Sequence, residues 1–305
     1  MMNGIIVVNK PQEFTSFDVV ALMRRLCGQR KIGHTGTLDP MAEGVLPLLF
    51  GSATKAQDIL PDSDKEYRAG FRLGMTSDTL DIWGEIKTSC ESVCSESEIS
   101  YMLPKYRGEI FQIPPMYSAV KKDGVRLYDL ARKGEEVERE PRKVVISKLE
   151  LVTFDEEKQE GSFVVSCSKG TYIRTLIDDI GRDLGCGAVM TSLVRTKACG
   201  FTLEDCITID ELRVLTEEGR QPEKSEKLLR STESLFDIYE RLTLGDKQAF
   251  RFANGNAIDV NRTAIKGRAE EGTIVRVGRN DGSFIGLGIV CGEQIRIYKM
   301  FPETA

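Results

Sequence analysis

The sequence has few of the residues on which metal and redox chemistry depend. It contains one histidine, His34, and none of its eight cysteines belongs to a CxxC pair or has a histidine close by. Zinc sites and redox motifs are built from such clusters, so a metal centre is not expected. Cys90 and Cys94 lie in a polar stretch, and we expect them to be exposed.

Long apolar runs and a secretory leader are also lacking. No run approaches the roughly 20 apolar residues that a membrane helix requires, and the N-terminus has no basic region of the signal-peptide type. We therefore expect a cytoplasmic protein with reduced thiols and no membrane partner.

Positive charge is scarce for a protein that binds nucleic acid. The net charge of −5 taken alone disfavours phosphate binding, which needs lysine and arginine. One short segment is the exception, because it holds four basic residues and no acid. These are Arg24, Arg25, Arg30 and Lys31.

The most unusual segment covers residues 31–48. Its glycines and prolines exclude one long helix, yet it is too apolar for an ordinary solvated loop. We expect an irregular loop held in a cleft that fixes one acid, Asp39. Pro40 moves this residue towards an extended backbone. Local chemistry alone favours a simple turn, in which the carboxylate caps backbone amides.

Hydrophobic periodicity predicts the main elements. Residues 4–8 form a buried strand, and Thr15 or Ser16 caps a helix that ends near Cys27. In the strand at 65–74, alternation turns Tyr67 inward, where a core tyrosine is the ordinary interpretation. The other predicted helices are at 53–60, 125–133 and 243–252, and the other strands at 144–154, 162–167, 257–260, 273–277, 284–290 and 294–299.

A later helix carries an arginine in an unfavourable position. Thr171 can cap this helix, and Arg174 then lies in its first turn, where a cation opposes the helix dipole. An anion must lie nearby. The structural explanation is a surface pair with Asp178 at i+4, worth about 0.3–0.5 kcal/mol.

The last part of the chain has a different pattern. Residues 217–234 are polar and charged and predict a linker, and one helix with several short strands follows. Such a pattern is typical of a small, partly open β-barrel. We therefore divide the chain into domains at residues 1–232 and 233–305.

Several motifs, in order along the chain, resemble those of the TruB family of tRNA pseudouridine-55 synthases. The longest is Gly-His-Thr-Gly-Thr-Leu-Asp-Pro-x-Ala-x-Gly-Val-Leu-Pro at 33–47, and Lys-x-Tyr at 65–67 follows. The segments at 76–84, 112–124, 170–174 and 188–196 also resemble family motifs. The resemblance implies an α+β catalytic domain around a mixed, mainly antiparallel sheet, with a C-terminal PUA-like β-barrel that binds RNA.

The resemblance also implies a role for each candidate residue. Asp39 is the essential carboxylate, and Arg174 reaches it from the later helix. Tyr67 lies against the target base, and Leu193 packs beside the site. The implied RNA contacts are His34, Arg24, Arg25, Lys31, Asp81, Tyr117, Lys121 and Tyr172.

The implied reaction is the isomerisation of uridine in the T-arm stem-loop of tRNA. In this reaction nothing is oxidised or reduced and no group is added, so no cofactor is expected. Two other classes stay open: a glycoside hydrolase that uses Asp39 with Glu43, and a non-catalytic RNA-binding module. A guide-RNA-dependent relative is disfavoured, because those carry lysine-rich tails and this chain ends without one. We expect a monomer that acts alone.

Overall fold

The computed structural model describes residues 2–61, 64–90, 93–217 and 228–302. They form an α+β structure with a ten-stranded mixed sheet, a five-stranded sheet and two small hairpins. Most of the linker predicted at 217–234 lies outside the described residues. Within the described ranges, no helix is long and apolar enough to cross a membrane.

The helices and strands are numbered in chain order. The helices are α1 (Ser16–Cys27), α2 (Glu96–Met102), α3 (Leu127–Ala131), α4 (Ile173–Asp183), α5 (Ile209–Glu217) and α6 (Asp246–Ala253). The strands are β1 (Gly4–Lys10), β2 (Ile32–His34), β3 (Glu43–Phe50), β4 (Lys65–Leu73), β5 (Met75–Ser77), β6 (Ile86–Thr88), β7 (Gly108–Gln112), β8 (Lys121–Lys122), β9 (Val125–Arg126), β10 (Arg142–Asp155), β11 (Glu160–Cys167), β12 (Ala188–Ala198), β13 (Phe201–Thr202), β14 (Ile207–Thr208), β15 (Glu240–Leu244), β16 (Ile258–Asp259), β17 (Ile274–Arg279), β18 (Phe284–Cys291) and β19 (Gln294–Met300).

The large sheet has the order β14-β1-β3-β12-β4-β11-β10-β7, with β2 paired to β3 and β13 to β12. At its centre, β12 runs parallel to β3 and antiparallel to β4. Strands from distant parts of the sequence therefore lie side by side. The predicted alternation of β4 is confirmed, because Tyr67, Ala69, Phe71 and Leu73 are all buried.

Helix α1 forms as predicted. Thr15 is its N-cap and makes a capping box with Asp18, and Gly28 ends the helix in the left-handed conformation. Helix α4 begins differently from the prediction. The hydroxyl of Thr171 donates to the carbonyl of Ser168 and caps nothing, and Tyr172 is the N-cap without a side-chain bond.

The two sheets share an apolar core. Ile5 and Leu49 from the large sheet pack in one cluster with Phe236, Leu287 and Phe301 from the C-terminal part. The five-stranded sheet, of order β15-β17-β18-β19-β16, has a second core of its own. Apolar contact therefore joins the sheet that carries the site to the C-terminal sheet.

Several sequence expectations are wrong. Residues 43–48 belong to strand β3, because backbone pairing with β1 carries the chain through Pro47. The helix expected at 53–60 is a short 3₁₀ helix, Gly51–Ala56, and α3 is shorter than predicted. Residues 240–244 form a strand that sequence analysis missed. Cys94 was expected to be exposed but is buried in the main core, where its Sγ lies 3.6 Å from that of Cys186.

Candidate active site

The loop between β2 and β3 presents Asp39 to a cleft. The hydroxyl of Ser16, from the start of α1, accepts from the amide of Leu38 at 2.8 Å. The amide of Ala42 donates to the carbonyl of Asp39 at 3.0 Å. These bonds fix the backbone on both sides of the carboxylate, whose side chain stays 40% exposed.

Arg174 connects this loop to two other segments. Its Nη2 lies 2.8 Å from Oδ2 of Asp39, and its Nη1 lies 3.6 Å from Oδ2 of Asp81. The guanidinium also donates to the carbonyls of Thr79 at 2.8 Å and Tyr117 at 2.9 Å. Its side chain is only 6% exposed. A planar guanidinium suits this arrangement, because its donors point in fixed directions.

The alternative partner considered for Arg174 is engaged elsewhere. Oδ2 of Asp178 lies 2.6 Å from Nη2 of Arg182, one turn further along α4. The sequence-based expectation that Arg174 reaches Asp39 is met by this geometry, whereas the surface pair with Asp178 is absent. Whether either residue is catalytic is a separate question and stays a prediction.

The cleft has a volume of about 310 Å³ and is lined by Asp39, Tyr67, Arg174 and Leu193. Tyr67 and Leu193 come from the neighbouring strands β4 and β12. Burial raises the pKa of the Tyr67 hydroxyl to about 12, although the nearby charge of Arg195 opposes the shift. Tyr67 is therefore a neutral phenol at physiological pH.

Two buried cations that sequence analysis did not single out lie near the Asp39 loop, and Arg195 bonds it directly. Arg195 is fully buried, and its guanidinium donates to the carbonyls of Val45 at 2.7 Å, Gly36 at 3.2 Å and Thr37 at 3.4 Å. An arginine at an inward position of a buried strand, two residues after Leu193, was the available signal.

Lys10 is the second of these cations. Its ammonium is buried and donates to the carbonyls of Pro11 at 2.8 Å and Phe14 at 2.6 Å. Burial lowers its pKa to about 8, although the charge of Asp39 opposes the shift. Lys10 therefore closes the turn that leads into α1, next to the loop.

Seven of the eight predicted RNA contacts fall into two groups by exposure. Arg25, Lys31 and Lys121 are exposed, whereas Arg24, His34, Tyr117 and Tyr172 are half-buried. Arg24 donates to the carbonyl of Ile32 and lies over the ring of Phe17. Burial and the charge of Arg195 lower the pKa of His34.

Asp81 is the predicted RNA contact with the least exposure. Its Oδ1 accepts from the hydroxyl of Thr79 at 2.7 Å and from the amide of Trp83 at 3.0 Å. The carboxylate thus faces its own turn and Arg174. No contact with RNA is tested for any of these residues, and all of them stay predictions.

The fold and this cleft define a pseudouridylate synthase. A family model for the N-terminal domain of "TruB family pseudouridylate synthase" matches residues 24–173, and one for the "tRNA pseudouridylate synthase B C-terminal domain" matches residues 174–237. The chain belongs to the TruB family, and it is an enzyme of the isomerase class.

Curated relatives and a solved structure agree with this assignment. The chain is 45% identical to tRNA pseudouridine synthase B of Pseudomonas fluorescens (strain Pf0-1), over 95% of this chain and 92% of the relative. It is 42% identical to that of Clostridium tetani (strain Massachusetts / E88), over 98% and 99%. The fold is also similar to the crystal structure of a Cbf5-Nop10-Gar1 complex, with a TM-score of 0.74 and 26% identity over 98% of this chain and 85% of that one. The predicted α+β fold with a PUA-like C-terminal sheet is confirmed.

Proposed function

We propose that this chain isomerises uridine 55 in the T-loop of tRNA to pseudouridine, alone and without a cofactor. The observation that carries the proposal is the pair of Asp39 and Arg174 in an open cleft. The carboxylate is exposed enough to reach a nucleotide, and the buried guanidinium holds it in one orientation. Two relatives named tRNA pseudouridine synthase B, at 45% and 42% identity, support tRNA as the substrate.

The charges of the cleft suit RNA, although the whole chain is acidic. Asp39 is the one acidic residue among the described lining residues and is paired with Arg174, which leaves Lys65 and Lys169 as the further cations of the lining. Local cations of this kind attract phosphate regardless of the net charge of the chain. We infer that the substrate backbone approaches along this rim, with the domain at residues 1–232 supplying the site and that at 233–305 additional RNA affinity.

The reaction requires the target nucleotide to leave its stack, since the bond between C1′ and N1 is inaccessible inside a helix. The C1′–N1 bond breaks, uracil turns, a bond forms between C1′ and C5, the C5 proton is lost, and N1 takes up a proton, so the product is an isomer of the substrate. Asp39 acts on the ribose, either as a nucleophile at C1′ or as a base that removes a ribose proton. Tyr67 stacks on the uracil as a neutral phenol, and Leu193 provides an apolar wall.

The glycoside hydrolase alternative receives less support. Such enzymes place a second carboxylate across the scissile bond, but Glu43 begins strand β3 and is not among the residues that line the cleft. A non-catalytic module would have no use for the orientation of Asp39 by Arg174. Both alternatives predict distinct outcomes in one assay.

The test is tritium release from a T-arm stem-loop RNA that contains 5-tritiated uridine. We expect the wild-type chain to release tritium, with no change in RNA mass other than the replacement of tritium by protium. Asp39→Asn, which keeps the size of the side chain, should lose turnover. Glu43→Gln is the matched control and retains activity. Free uracil as a product would indicate a hydrolase. Near-normal turnover by folded Asp39→Asn would contradict the assignment.

A further inference from the structure

The turn between β5 and β6, together with the first residue of β6, exposes three large apolar side chains within five residues. Trp83 is 52% exposed, Ile82 42% and Ile86 39%. Single exposed apolar residues are common on protein surfaces, but a cluster on one turn marks a contact surface. Trp83 is also the only tryptophan of the chain.

The backbone of this turn is firmly held. The amide of Trp83 donates to Oδ1 of Asp81, and the amide of Ile82 donates to the carbonyl of Met190 in β12 at 3.0 Å. Gly84 packs so closely that an added Cβ would lie 2.3 Å from Oδ1 of Asp78. A rigid backbone that presents an exposed ring loses little conformational entropy when a partner stacks on that ring.

The turn is continuous with the cleft. Three successive contacts lead from Trp83 to the site: 3.0 Å from its amide to Asp81, 3.6 Å from Asp81 to Arg174, and 2.8 Å from Arg174 to Asp39. Arg174 also holds the carbonyl of Thr79 at the start of the same turn. The turn that exposes the indole is therefore joined by hydrogen bonds and ion pairs to residues of the cleft.

We propose that the indole ring of Trp83 stacks on a nucleobase that neighbours the target uridine in the substrate RNA. The inference rests on the proposed function and adds a binding residue to it. Stacking of unpaired bases on aromatic side chains is the usual way in which proteins hold single-stranded RNA. A protein partner fits less well, since stable protein interfaces bury about 800 Å² on each side and this patch has three side chains.

Because the chain has one tryptophan, its intrinsic fluorescence reports on Trp83 alone. We expect saturable quenching when the wild-type protein is titrated with the T-arm stem-loop RNA. In tritium-release kinetics, Trp83→Ala should lower kcat/KM by about fivefold or more through a higher KM, with kcat at saturating RNA unchanged. Trp83→Phe should recover most of the loss, because it restores an aromatic ring.

The matched control is Tyr101→Ala, which removes another exposed aromatic side chain, on helix α2. It should leave both kinetic constants unchanged, and all variants should keep the wild-type melting temperature. If the wild type releases tritium but its fluorescence does not respond to RNA, or if Trp83→Ala keeps its KM, the stacking proposal is overturned while the proposed function stands. If the folded wild type releases no tritium, the proposed function itself fails.

Discussion

The guanidinium of Arg174 lies 2.8 Å from the carboxylate of Asp39, although helix α4 and the β2–β3 loop come from distant parts of the chain. The same guanidinium bonds the carbonyls of Thr79 and Tyr117. One buried side chain thus fixes three surface segments around the candidate carboxylate. Catalytic groups gain most of their rate from such fixed placement, since reorganisation during the reaction is then small.

Replacing Arg174 by lysine should separate charge from geometry. Arg174→Lys keeps one positive charge but cannot reach Asp39 and both carbonyls together. We expect kcat for tritium release to fall by about a hundredfold or more. Arg182→Lys is the control and should retain wild-type kcat, because the exposed Arg182 pairs with Asp178 on the same helix and contacts none of these groups. A kcat of Arg174→Lys within a few-fold of wild type would show that the fixed directions of the guanidinium donors are unimportant.

The buried ammonium of Lys10 should make stability depend on alkaline pH. Its pKa is about 8 in the folded protein, against an ordinary value of 10.5. Between these pH values Lys10 binds more protons in the unfolded chain than in the folded one, so its contribution to the free energy of unfolding rises with pH. In urea titrations, the difference in this free energy between wild type and Lys10→Met should move in favour of the wild type from pH 8 to 10.5. A difference that stays constant across this range would contradict the lowered pKa.

Cys94 should resist alkylation in the folded protein. Burial raises the pKa of its thiol to about 12, and the hydrogen bond with Cys186 acts in the same direction. Since the thiolate is the reactive form, iodoacetamide at pH 8 should leave Cys94 unmodified while it labels the half-buried Cys291. Peptide mass spectrometry with and without urea measures both. Labelling of Cys94 at the rate of Cys291 in the absence of urea would show that the thiol is accessible.

Local signals explain what the sequence could predict. Strand β4 follows from strict alternation at Tyr67, Ala69 and Phe71, and helix α1 follows from the cap at Thr15 or Ser16 and the apolar spacing after it. In both cases the determining residues lie within a few positions of one another. The motif at residues 170–174 predicted the pairing of Arg174 with Asp39 through family resemblance.

The missed features depend on partners that are distant in sequence. Arg195 and Lys10 bond backbone carbonyls, and a carbonyl carries no residue-specific signal. Strand β3 contains Gly44 and Pro47, which favour a loop locally, and only pairing with β1 and β12 makes it extended. Strand β15 pairs in parallel with β17, and no local pattern in the sequence indicates this pairing.

The aromatic side chains of Phe236 and Phe301 lie against Ile5 and Leu49 of the large sheet. Deleting the C-terminal sheet would therefore expose an apolar surface on the remaining fragment. That fragment would tend to aggregate or to lose the structure of its first strand. An inactive truncation would then report a damaged scaffold and would not test whether that sheet binds RNA. Point substitutions on its outer face are the informative way to ask what it contributes.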